Sequence, residues 1–163
     1  GFLGQKYFPA SGMPLFEPSS VAGYPAYYQA PNYSRYWFDS ATIIGRYKLF
    51  ESLITGRNQV AGNTALIGFT FNVVDCVTTN TLFTDPENPE TLVRDLVDYI
   101  FPESIDSDRF NYFYQDIFLD GMMPYNWTTA WNDFILNQDD SVVKPRLEQL
   151  FTFLINSPEF QTY

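Results

Sequence analysis

Apolar residues recur at three- and four-residue spacing over 40–55 and again from residue 89 onward, and at no regular spacing before residue 40. The first periodic run predicts a helix over 40–55, with Asp39 or Ser40 as N-cap and Gly56 as its stop. On a helical wheel Ile43, Ile44, Tyr47, Phe50 and Ile54 share one apolar face, widened by Leu49 and Leu53, while Arg46 falls inside its arc. Ala41, Gly45, Lys48 and Ser52 form the opposite face. Residues 58–83 are ambiguous. Phe69, Phe71 and Val73 alternate with Thr70 and Asn72 as in a short strand, yet Val73–Thr79 also suits a helical turn, so a loop with one short regular piece is expected.

Four further helices follow. Asn88 is placed to cap 89–101, with Pro89 at the favoured first position and Leu92, Val93, Leu96, Val97 and Ile100 inward. Ser107 is expected to cap a helix carrying Phe110, Phe113, Tyr114 and Ile117 and ending at Gly121. Asn126 opens the next, with Trp127, Trp131, Phe134 and Ile135 on one side. The last spans 141–156 on a stripe of Leu147, Leu150, Phe151 and Leu154, and Ser157-Pro158 starts a terminal turn. The pattern predicts an all-α protein of one domain, 1–163: a bundle of about five helices over 40–163 behind an irregular arm, 1–39.

That arm is punctuated by Pro9, Pro14, Pro18, Pro25 and Pro31, which remove amide donors and favour extended backbone. It then places seven aromatic residues within Tyr24–Phe38. Rings at that density suit either a core or a contact surface.

Composition narrows the chemistry. With 45% hydrophobic and 17% charged residues the chain is globular, and no apolar run approaches the length of a membrane span. No basic-then-apolar leader opens it, so a signal peptide is expected to be absent or removed. Residues 1–60 hold five basic against three acidic residues, a balance of +2, and residues 61–163 hold four against sixteen, a balance of −12. Such a surface argues against nucleic acid, which requires a basic face. There is no histidine, which removes the usual general base and metal ligand. The lone Cys76, in an apolar run, is expected to be a buried inert thiol. No cofactor or metal is expected.

A family becomes visible in particular residues. The run Pro18, Val21, Gly23, Tyr24, Pro25, then Trp37, then Ala41 to Arg46 resembles the signature of the DUF1800 family. The stretch from Asp85 to Val93 resembles that family's link into its next helix, and the ending from Arg146 to Gln161 resembles its closing helix. The resemblance implies an exported bacterial protein, in a Bacteroidetes-like variant, of which this chain is the C-terminal portion. It implies no activity and no catalytic residue.

Three groups are candidate sites. The arm residues Tyr24, Tyr27, Tyr28, Tyr33 and Trp37 suit a stacking surface for a sugar or protein partner, or a docked arm that completes the core. Arg46 suits recognition of a carboxylate or phosphate, or a structural ion pair with Asp75 or Glu17. The acidic pairs Asp116/Asp120, Asp139/Asp140 and Asp106/Asp108 suit acid–base or calcium chemistry, or helix capping and solvation. The favoured function is a non-catalytic scaffold or interaction domain whose partner is the N-terminal remainder of its own chain or another secreted protein. The alternatives are a carbohydrate-binding or polysaccharide-processing role for the arm, and one wall of an enzyme whose catalytic groups lie in the N-terminal remainder.

Overall fold

The computed structural model describes residues 8–11, 21–22, 39–57 and 70–161, which are all-α and contain no β-strand. The chain divides into two compact units, Gly1–Phe71 and Asn72–Tyr163.

In the first unit a single helical turn, α1 (Phe8–Ala10), packs against α2 (Ser40–Thr55). The boundaries of α2 follow the local signals. The Thr42 amide donates to the Asp39 carboxylate at 2.8 Å and the Asp39 amide donates to the Thr42 hydroxyl at 2.9 Å, a closed capping box. The Thr42 amide also holds the Asp39 carboxyl below its usual range. Gly56 ends the helix at φ 68°, a left-handed stop where a Cβ would meet the Thr70 methyl at 2.6 Å.

The buried side of α2 is a correction to the wheel. Its buried residues are Gly45, Ser52 and Ile54, whereas Ile44 is half exposed. The small residues win because they let backbone approach backbone. A Cβ on Gly45 would strike the carbonyl of Ala10, and buried Ser52 donates to the Lys48 carbonyl at 2.6 Å. Side-chain hydrophobicity alone misjudges such a contact, since its stabilising atoms are main-chain ones.

The second unit is built from α3 (Val73–Thr79), α4 (Pro89–Ile100), α5 (Ser107–Asn111), a π-helical segment (Tyr112–Leu119), α6 (Pro124–Asn137), α7 (Val143–Ile155) and α8 (Pro158–Gln161). Within the ambiguous stretch, Val73–Thr79 is therefore helical. Asn72 decides it: its side-chain carbonyl accepts from the amides of Val74 and Asp75 at 3.1 and 3.3 Å. Asn88 does the same for α4, accepting from Glu90 and Thr91. At α5 the cap is Asp106 rather than Ser107, its carboxylate accepting from the Arg109 amide at 2.8 Å. α6 starts at Pro124, two residues before Asn126, because proline at the first helical position needs no amide partner.

α7 lies at the centre, packed on α3, α4, α6, α8 and the π-helical segment. Its stripe of Val143, Leu147, Leu150, Phe151 and Leu154 is buried. Around it stand Phe113, Phe118 and Trp127, all fully buried, with Phe118 edge-on to Trp127 at a centroid distance of 4.6 Å.

The π-helical segment departs from the expected helix. The Asp120 amide donates to the Gln115 carbonyl at 3.0 Å, an i→i+5 bond, and Asp120 itself turns left-handed at φ 46°. The wider turn swings Phe118 and Leu119 into the core beside Phe113 and Ile117. It also removes the α-helical i,i+4 relation expected between Asp116 and Asp120.

α8 is held by a charged clamp. Arg109 grips Glu159 through two bonds of 2.6 and 3.1 Å while its guanidinium lies 4.8 Å from the Tyr112 ring centroid and 4.5 Å from that of Phe113. The Arg109 hydrogen bond holds the Glu159 carboxyl below its usual range. A depressed carboxyl pKa contributes stability above its unfolded value, and that contribution is lost as pH falls through the folded value. Glu159→Gln is therefore expected to lower stability by about 1 kcal/mol near neutral pH and to leave it almost unchanged in acid. Urea titrations at pH 7 and at successively lower pH, down to where the loss vanishes, measure this. An equal loss at every pH would refute an electrostatic role for the clamp.

Candidate functional site

The arm residues Tyr24, Tyr27, Tyr28, Tyr33 and Trp37 lie outside the described residues. Arg46 lies in α2, half-buried and engaged by a neighbouring group. Three of the six acidic candidates have local structural work. Asp106 caps α5, Asp120 pairs with Arg146 at 3.0 Å, and Asp139 accepts from the Ser141 amide at 3.0 Å. The side-chain and backbone hydrogen bonds of Ser141 hold the Asp139 carboxyl low. Among the described residues no three or more His, Cys, Asp or Glu side chains converge as a metal site. Cys76 is half-buried rather than buried, and desolvation raises its thiol pKa, which keeps it protonated and unreactive.

The surface with the most unusual chemistry is α6. Its inner side buries Trp127 and Trp131, and the indole N–H of Trp127 donates to the Pro86 carbonyl at 3.0 Å. Its outer side leaves Tyr125 66%, Ile135 51% and Leu136 79% exposed, and Met123 stands exposed just before it. The helix carries one charged residue, Asp133, and no Lys or Arg occurs between Arg109 and Lys144. A charge-poor face with exposed aromatic and aliphatic side chains, in a strongly acidic chain, is the composition of an interface centre.

The loop before α4 is strapped across this helix. Besides the Trp127 bond, the Thr128 hydroxyl donates to the Glu87 carbonyl and the Asn132 amide donates to the Glu87 carboxylate, each at 3.0 Å. On one side of the strap lies an open cleft of about 390 Å³ lined by Asp85, Glu87, Asn88, Pro89, Glu90, Tyr114, Pro124, Tyr125 and Thr128. Desolvation, and then the nearby Glu90 charge, raise the Tyr114 pKa, so its hydroxyl stays neutral. On the other side a cleft of about 310 Å³ is lined by Val77, Phe83, Pro86, Trp131 and Ile135 with the polar run 78–81. The first is acidic and aromatic, and the second mixes apolar side chains with the polar run 78–81.

Sequence reasoning missed this face. It placed Ile135 with the buried tryptophans, and the structure exposes it. The available signal was the long stretch without a cation.

Fold and surface together define an all-α protein in which several charges of the described residues serve caps and ion pairs and α6 leaves apolar side chains exposed. The chain belongs to the family described as protein of unknown function (DUF1800), matched over residues 3–162. No curated protein and no solved structure matches it. No helix among the described residues is long and apolar enough to cross a membrane.

Proposed function

We propose that this chain is a non-catalytic helical interaction domain whose contact surface is the outer face of α6. The observation that carries the reading is the exposure of Met123, Tyr125, Ile135 and Leu136 on a face without cations. Leaving such side chains in water forgoes burial of roughly 25 cal/mol per Å² of apolar surface. The partner in this reading is the remainder of a longer chain, or a second exported protein, and export is supported by the likeness of residues 18–46 to the family signature.

A photo-crosslinking residue at position 136 tests the reading in the cell of origin, with position 98 on α4 as an exposed control. Discrete protein adducts are expected from 136 and not from 98. Equal yields at both positions, or none at either, would count against α6 as the contact surface.

A further inference from the structure

We infer that Asn72–Tyr163 is a self-sufficient module, which folds and presents the α6 surface without residues 1–71. The inference rests on the interaction reading above and adds which part of the chain carries it. The unit begins on its own cap and not inside an element. The Asn72 side chain closes the first turn of α3, and its amide also donates to the Asp75 carboxylate at 2.8 Å. The far end is tied back inside the same unit. Glu159 is held by Arg109, and the Gln161 amide donates to the Ile155 carbonyl at 2.8 Å. A segment closed at both ends by its own residues has the boundaries of a domain.

Its core is internal as well. Val73 and Val77 of α3, Leu92 and Leu96 of α4, and Leu147 and Leu150 of α7 are fully buried. α7 packs on α3, α4, α6, α8 and the π-helical segment, all of them within 72–163. At roughly ninety residues the unit is well above the ~40 below which folding alone needs disulfides or metals. The groups that position α6 also belong to it. Pro86 and Glu87 hold Trp127, Thr128 and Asn132. The strap that carries them is fixed on α4, where the Thr84 amide and hydroxyl donate to the Asp95 carboxylate at 2.8 and 3.1 Å. The placement of Tyr125, Ile135 and Leu136 therefore follows from contacts inside the unit.

Amide hydrogen exchange on the whole chain tests this, with damage confined to the first unit. Gly45→Leu puts a side chain where the Ala10 carbonyl lies, and Ile54→Asp adds a charge at a buried position of α2. With both in one chain, exchange of the α2 amides is expected to quicken about tenfold or more, and that of α4, α6 and α7 to stay within about twofold of the parent. Urea is then raised until the α2 amides exchange as in an unfolded chain. At that point the α4 and α7 amides are expected to keep about a hundredfold protection. Loss of their protection together with that of α2 would make the chain one cooperative unit and overturn the inference. Position 136 supplies the second readout, and crosslinks formed by the parent are expected to persist in the doubly substituted chain. Their loss, with α4 and α7 still protected, would show that the surface needs residues 1–71 and would overturn the module. A parent that forms no crosslink at 136 removes the interaction reading instead, and exchange alone then decides whether 72–163 folds by itself.

Discussion

Trp127→Ala is expected to cost about 3–5 kcal/mol of stability, the largest effect of any single truncation in the second unit. Among the described residues Trp127 is the largest fully buried side chain, wedged edge-on against Phe118 and tilted 5.7 Å from Trp131. Removing it opens a cavity that α4, α6 and α7 cannot collapse into without breaking other contacts. It also orphans the Pro86 carbonyl, which holds the strap across α6. Trp127→Phe separates the two contributions. It keeps most of the ring and loses the N–H, for an expected loss of about 1–3 kcal/mol. Urea denaturation followed by circular dichroism measures both variants. A Trp127→Ala loss below about 1 kcal/mol would show that the aromatic core is not packed as described.

Gly45→Ala is expected to destabilise by about 1–3 kcal/mol through overpacking. Helix propensity alone predicts the opposite, a gain of up to about 1 kcal/mol for replacing a mid-helix glycine. The sign therefore reports on the contact. An added Cβ would overlap the Ala10 carbonyl and crowd the Ser11 amide, and both are backbone groups that cannot rotate away. Amide exchange at Ala10 and Ser11 should accelerate with the loss. If Gly45→Ala stabilises the protein, α1 does not pack on α2 at this position.

Most of the helical framework was legible in the chain. Asp39, Asn88 and Gly56 act where local chemistry places them, since a cap depends on side chain and amides within one turn. The stripes of α4 and α7 are legible for a similar reason, because each presents one continuous apolar face to the core. The site was less legible. The arm residues that the aromatic pattern singled out lie outside the described residues, and the α6 face came from exposure rather than from residue type.

The sequence by itself determined an all-α protein, the caps at Asp39, Asn88 and Gly56, its lack of histidine chemistry and its family. These follow from short-range periodicity, capping and composition. Tertiary structure alone decided three things. It buried Gly45 and Ser52 along with Ile54 on α2 and left Ile44 half exposed, because a close backbone contact requires small residues. It widened Tyr112–Leu119 into a π-helical turn that buries Phe118 and Leu119 beside Phe113 and Ile117. It left Ile135 and Leu136 in water, because Trp127 and Trp131 already fill the space that α6 faces. Each outcome depends on what a distant segment offers at the contact, and that is not encoded in the local spacing of residues.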